Sequence, residues 1–318
     1  MNIVWRPDIL GDGFEAATLA LRPRSDGEEP TASLVRHLSG PERTRRAVLY
    51  VHGYNDYFFQ RELGAWFAGH GMDFYALDLR RYGRSLLPGQ EPNYTADLRE
   101  YDEELDAAVD VLIGAGHRRL LLAAHSTGGL IVPLWAARRP GLGVDGLILN
   151  SPFLEFKQPA AVRMVAGRAA TVIARRQPLR ALPAGVSTGY GDSLHASRRG
   201  QWDYDLRLKP SPGFPPRFGW VNAIVEGHRD LHRGLDQRAP TLVLCSTRTV
   251  TAEGWEDDLT RGDAVLDADR IARWAPALGR HVTTVRIEDA LHDVFLSAEP
   301  VREAAYDTMA TWLRAWVS

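Results

Sequence analysis

The chain has 318 residues, 45% hydrophobic and 25% charged, with a formal net charge of -2. That is ordinary globular composition, and it excludes a disordered, collagen-like or disulfide-stapled chain. The near balance of charge argues against a nucleic-acid partner, whose binding needs many cations on phosphates. The single cysteine, Cys245, can form no internal disulfide and has no partner for a zinc-thiolate site, which fits a reducing, cytoplasmic setting.

Residues 1–16 carry acidic groups and no long apolar core, so they read as neither signal peptide nor anchor. Short apolar runs then alternate with stretches at helical spacing, the pattern of strand-helix repeats and a mostly parallel, buried sheet. Phe14–Arg22 and Ser33–Leu38 form an opening pair of strands. Further strands are expected at Ala47–His52, Asp73–Asp78, Arg119–His125, Gly146–Asn150, Thr241–Ser246 and Val282–Ile287. Helices are expected at Phe58–Gly69, Tyr94–Gly114, Ser126–Arg138, Asp267–Leu278 and Val301–Trp316. The most apolar stretch, Leu120–Ala137, is interrupted by His125, Ser126 and Thr127, so no membrane span is expected. No internal repeat is visible. Of the 38 basic residues only Lys157 and Lys209 are lysines, a bias that reads as codon usage in a GC-rich, bacterial genome.

The alternation breaks between Pro152 and Arg238. An Arg-dotted helix, Pro159–Arg175, is followed by Trp202-Asp203-Tyr204 and the proline-rich run Pro210–Trp220, both expected as loops. The chain thus divides into a core, 1–151 and 239–318, and a lid or cap insertion, 152–238. Placed between two sheet strands, the insertion lies above the strands' carboxyl ends, where open α/β sheets put their ligands.

The strongest local signal is the buried strand Leu120–Ala124 running through His125-Ser126-Thr127-Gly128-Gly129 into a helix. A serine at such a junction is a nucleophile elbow candidate, because small residues on both sides let strand and helix approach and lift the hydroxyl. Gly128 meets that need, and Ala124 stands where glycine is usual. The alternative is a serine that only caps the helix. A serine hydroxyl needs a base and the base an orienting acid, in the chain order serine, acid, histidine. His292 is the one histidine between the last strand and the closing helix. The loop after Thr241–Ser246 holds Glu253, Glu256, Asp257, Asp258, Asp263 and Asp267. Asp267 reads as the cap of the next helix. Asp263, after a glycine and before an apolar anchor, is the chosen acid, with Asp258 the alternative. The backbone amides of Thr127 and of Tyr54, after the strand-ending His52-Gly53, are the expected oxyanion donors. His52 reads as structural, and Asn55 and Asp56 as shaping that loop.

Val51-His-Gly-Tyr54, Asp78-Leu-Arg-Arg-Tyr-Gly83-Arg84-Ser85, His125-Ser126-Thr-Gly128-Gly129, Gly262-Asp263 and His292-Asp293 together resemble the α/β-hydrolase superfamily. More narrowly the chain is similar to its monoacylglycerol lipase, lysophospholipase and serine aminopeptidase branch, from about Arg45 onward. The Asp78–Ser85 stretch resembles a bracing turn of that family, with Arg81 in place of its first glycine. The resemblance implies a mostly parallel sheet flanked by helices, with an inserted lid, and serine hydrolase activity on carboxylic esters without metal or organic cofactor. The partner is then a small-molecule ester with an apolar acyl or aromatic group. Thioesterase, acyltransferase, C–C hydrolase and peptidase chemistry, or ligand binding without turnover, remain alternatives on the same fold. Of the insertion's Phe153, Phe156, Val162, Met164, Trp202, Tyr204, Phe214, Phe218 and Trp220, about half are expected to form its own core. Trp202, Tyr204 and Phe218 are the substrate-binding candidates.

Overall fold

The structure, a computed structural model, describes residues 3–24, 27–40, 44–158, 160–182, 188–252 and 254–317, with backbone alone for 160–166 and 168. Pro159 and Glu253, and the side chains of Val162 and Met164, lie outside the described residues. Among the described residues, nine strands form one sheet: β1 (Arg6–Pro7), β2 (Phe14–Ala20), β3 (Thr31–His37), β4 (Arg46–Val51), β5 (Asp73–Asp78), β6 (Arg119–His125), β7 (Val144–Asn150), β8 (Thr241–Ser246) and β9 (Val282–Ile287). Their spatial order is β1-β2-β3-β5-β4-β6-β7-β8-β9. The first three strands and the β3/β5 pair are antiparallel, whereas the pairs from β5 through β9 are parallel.

The helices are α1 (Arg61–Gly69), α2 (Asp102–Gly114), α3 (Gly128–Ala137), α4 (Ala160–Arg176), α5 (Gly189–Leu194), α6 (Phe218–His232), α7 (Ala268–Trp274) and α8 (Glu299–Trp316). None of the described helices is long and apolar enough to cross a membrane. The period of two along each strand divides the core into two layers. On β4, Ala47, Leu49 and Val51 face Leu105 of α2, Trp135 of α3, Ile224 of α6 and Ile271 of α7. Val48 and Tyr50 face Phe67 of α1 and Met309 of α8. Because both faces are covered, β5 and β8 are buried along their whole length, which is why they read as continuous apolar runs.

The helices expected from Phe58 and Tyr94 begin only at Arg61 and Asp102, the latter after a single tighter turn at Leu98–Tyr101, and three further elements lie outside the sequence expectation. β1 and α5 are too short to leave a pattern. α6 is a correction, since Phe218–Trp220 open a helix instead of closing a loop. Its buried Trp220, Ala223, Ile224, Gly227, His228 and Leu231 have helical spacing, hidden behind the preceding prolines.

Candidate active site

Strand β6 ends at His125, α3 begins at Gly128, and Ser126 makes the turn between them at φ 52°, a left-handed conformation that disfavours a side chain by about 1–2 kcal/mol. Three backbone bonds hold it there: Ser126 N–H donates to Asn150 O at 3.0 Å, and Ser126 O accepts from Gly129 N–H at 2.9 Å and Phe153 N–H at 2.8 Å. Gly128 is required by close approach, because a Cβ would lie 2.5 Å from the carbonyl oxygens of both Val51 and His52. Ala124 is different. It is buried in the core on the α3 side, which accommodates its methyl.

Ser126 Oγ lies 3.0 Å from His292 Nε2, and His292 Nδ1 lies 2.9 Å from Asp263 Oδ2. Asp263 is fully buried, and its Oδ1 accepts from the amides of Val265 at 2.8 Å and Leu266 at 2.7 Å. A carboxylate held by donors on both oxygens is an acceptor only, so Nδ1 of His292 carries the proton and Nε2 is free to accept one from serine. Asp258 instead stands in solvent against Arg248 and does not reach His292.

At the end of β4, His52 Nε2 accepts from Leu79 N–H at 3.0 Å, which leaves Nδ1–H to donate to Gly53 O at 2.7 Å. This turn packs closely against the serine, since a Cβ on Gly53 would stand 2.8 Å from the serine Cβ. Neither Tyr54 N–H nor Thr127 N–H donates to another group among the described residues. Both therefore keep a free donor. Cys245 is no rival nucleophile, since burial pushes its thiol up to about 12.

A cavity of about 390 Å³ opens on Ser126 and His292. Phe153, Phe156, Trp220, Val265 and Leu266 give it apolar lining, and Asn55, Asp56, Tyr190, Tyr204 and Lys209 give it polar lining. Tyr204 thus reaches the cavity as expected. Trp202 and Phe218 do not, which corrects that part of the expectation. The indole N–H of Trp202 donates to Leu296 O at 2.7 Å, fastening the segment between β7 and β8 to the loop after β9. Phe218 precedes Trp220 by two helical positions, which turns it to another face of α6.

A family profile described as serine aminopeptidase, S33, matches residues 42–299. The chain belongs to this family. Its fold is the α/β-hydrolase fold. A monoacylglycerol lipase from Paleococcus ferrophilus superposes with a TM-score of 0.65 at 22% identity, over 88% of this chain and 98% of that one. A soluble variant of monoglyceride lipase from Saccharomyces cerevisiae gives 0.64 at 15% identity, over 93% and 95%. A thermophilic esterase from Thermogutta terrifontis gives 0.58 at 18% identity, over 95% and 99%. In sequence, mouse epoxide hydrolase 4 is 26% identical over 118 residues, and the match covers 36% of this chain and 31% of that protein. This chain is accordingly a hydrolase.

In this hydrolase Arg81 stands at φ 64°, in the left-handed region that favours glycine. Its guanidinium is gripped by the Glu28 carboxylate and by Tyr94 O at 2.8 Å, contacts that offset the strained backbone. Beside it Asp78 accepts from Phe58 N–H at 2.9 Å and from the Arg84 guanidinium at 2.8 Å, bracing the loop that carries Tyr54. The segment between β7 and β8 is laced to the same loop. Asn55, itself at φ 50°, donates from Nδ2 to Pro210 O at 3.0 Å and accepts at Oδ1 from Phe214 N–H at 3.1 Å. Lys209 Nζ meets Asp56 Oδ1 at 2.6 Å in a buried pair. Burial works to raise the Asp56 carboxyl, but Lys209 chiefly, with His125 and His52, holds it below the usual range.

Sequence reasoning did not single out Asn150. Its Nδ2 donates to Asp293 Oδ1 at 2.6 Å and its Oδ1 accepts from Val294 N–H at 3.1 Å, while its backbone carbonyl takes the Ser126 amide. One residue therefore ties the histidine loop to the serine turn. Gln60 adds a bond of 2.9 Å to Asp293 Oδ2. The sequence offered only the adjacency of Asp293 to His292 as a signal.

Proposed function

We propose that this hydrolase cleaves carboxylic esters through Ser126, His292 and Asp263. The observation that carries the reading is the continuous chain Ser126 Oγ to His292 Nε2 at 3.0 Å and His292 Nδ1 to Asp263 Oδ2 at 2.9 Å, with the serine held in a left-handed turn at the floor of a cavity. His292 removes the hydroxyl proton as Ser126 attacks the ester carbonyl, and Asp263 stabilises the imidazolium that forms. The oxyanion faces the amides of Tyr54 and Thr127. Collapse of the intermediate expels the alcohol, protonated by His292. Water activated by the same histidine then releases the acid from the acyl-enzyme.

The apolar lining from Phe153, Phe156, Trp220, Val265 and Leu266 suits an acyl or aromatic group. Residues 152–238 are read as a lid on a core of 1–151 and 239–318, with Tyr204 and Trp220 as its substrate contacts. The lipases and esterase that share the fold favour ester cleavage. The family's description names an aminopeptidase, so amide cleavage on the same triad is the second reading. Hydrolysis of p-nitrophenyl esters of graded chain length, beside aminoacyl p-nitroanilides, separates the two. The ester reading requires turnover of the esters that disappears in Ser126→Ala, and turnover of the anilides alone would replace it with the peptidase reading.

A further inference from the structure

The chain has 38 basic residues, only two of them lysines, and both lysines line the cavity. Lys209 is neutralised at 2.6 Å by Asp56, which leaves that pair without net charge. The other titratable groups on the wall do not supply a negative charge. Burial pushes His125 down to about 4, so its ring is neutral near pH 7. Burial likewise pushes the hydroxyls of Tyr54, Tyr190 and Tyr204 up, so they remain protonated. Lys157 makes no ion pair among the described residues.

Its ammonium is nevertheless fixed in place. Nζ donates to Val250 O at 2.8 Å, and the chain on either side is pinned, since Arg270 Nη1 donates to Phe156 O and Gln158 O at 2.5 Å each. Two N–H groups of Nζ have no protein acceptor among the described residues. The carboxylates whose charge reaches it are Asp263 and Asp267. Asp263 is engaged by His292 and two amides, and Asp267 by Arg270 and the start of α7. Burial pushes the ammonium below the usual lysine range, with Asp263 and Asp267 acting in the opposite direction. A compact point charge with free donors, in a cavity whose apolar lining includes Phe153, Phe156, Val265 and Leu266, fits an anion at the end of a short hydrocarbon.

We propose that Lys157 is an anion-recognition group, and that the preferred substrates are esters carrying a carboxylate a few atoms from the scissile bond. This rests on the reading of Ser126 as nucleophile and names the substrate class of that site. Two matched pairs test it and distinguish where the carboxylate sits. On the acyl side, p-nitrophenyl hydrogen adipate is compared with p-nitrophenyl methyl adipate. On the alcohol side, 4-carboxyphenyl acetate is compared with its methyl ester. The Ser126→Ala protein supplies the uncatalysed blank, so loss of the nucleophile reading would show as turnover that survives this variant.

In the wild type, KM for the anionic member of one pair is expected to be lower by about tenfold, the size of one part-buried charge contact. Added salt reduces the difference. Lys157→Met removes it, Lys157→Arg restores most of it, and Lys157→Glu makes the neutral member the better substrate. Anionic and neutral members with equal KM in both pairs, or a preference that survives Lys157→Met, would overturn the proposal while leaving Ser126 in its role.

Discussion

Replacing Asp263 by asparagine tests the histidine's tautomer, and the structure dictates which way the new amide must face. Asp263 Oδ1 accepts two buried amides, from Val265 at 2.8 Å and Leu266 at 2.7 Å, while Oδ2 accepts the His292 Nδ1 proton at 2.9 Å. An asparagine has only one acceptor oxygen. If the oxygen stays with the two amides, its NH2 points at His292 Nδ1, which must then be unprotonated. If it turns toward His292, two backbone donors lose their acceptor, at about 1–3 kcal/mol each. The first orientation is therefore favoured by roughly 2–6 kcal/mol. It forces the proton onto Nε2, where the ring can donate to Ser126 but not accept from it. The expected result is a kcat lower by about 10⁴, equivalent to about 5 kcal/mol of barrier. Because the fold's bonds to Val265 and Leu266 survive, the Tm should move little. Steady-state kinetics on a p-nitrophenyl ester and a thermal melt read both quantities. Asp258→Asn is the control, and its exposed contact with Arg248 predicts near-normal turnover. Full activity in Asp263→Asn together with loss in Asp258→Asn would refute the assignment of the acid.

The remaining expectations concern packing, the loop beside the serine and pH. Gly128→Ala places a methyl 2.5 Å from two backbone carbonyls and should abolish soluble, active protein, whereas Ala124→Gly should retain activity; comparable melts for the two variants would contradict this. Asn55→Ala frees Pro210 O and Phe214 N–H from the loop that carries Tyr54, and should lower kcat by about tenfold with less effect on KM, measured on one ester. Tyr204→Ala and Trp220→Ala should shift chain-length preference, while Trp202→Ala, which loses its bond to Leu296 O, should lower Tm and leave the preference in place; the opposite pattern would return Trp202 to the cavity. His125 is held neutral by burial, with its folded value of about 4 below the usual 6.5. The unfolded chain therefore binds the extra proton first, so this group's contribution to stability is full above about pH 6.5 and is lost as pH falls toward 4. A Tm that did not decline across that window, or declined equally in His125→Gln, would contradict its burial as the neutral ring.

The sheet was legible because burial on both faces leaves short, continuous apolar runs. Asp73–Asp78, Arg119–His125, Thr241–Ser246 and Val282–Ile287 coincide with the strands expected. Ser126 and His292 could be placed because their positions follow from chain order around those strands. Asp263 was separable from Asp258 by its glycine neighbour and its nearness to α7. Residues 152–238 were less legible, because they meet partners far away in sequence. Trp202 and Tyr204 are two positions apart and equally aromatic, yet one finds the Leu296 carbonyl and the other the cavity. The pairing of Lys209 with Asp56 spans 153 positions, and Asn150 reaches the histidine loop across 143. No local periodicity encodes such contacts. α6 was hidden for another reason, since its first turn follows directly on a proline-rich run.

The central claim is a covalent acyl-enzyme at Ser126, and rapid quenching of the protein with excess p-nitrophenyl butyrate, followed by peptide mass mapping, tests it most directly. One butyryl group on the peptide containing Ser126, formed with a stoichiometric burst of p-nitrophenol and absent in Ser126→Ala, is the predicted result. A burst that persists in Ser126→Ala, or a butyryl group mapped to another residue, would contradict the account.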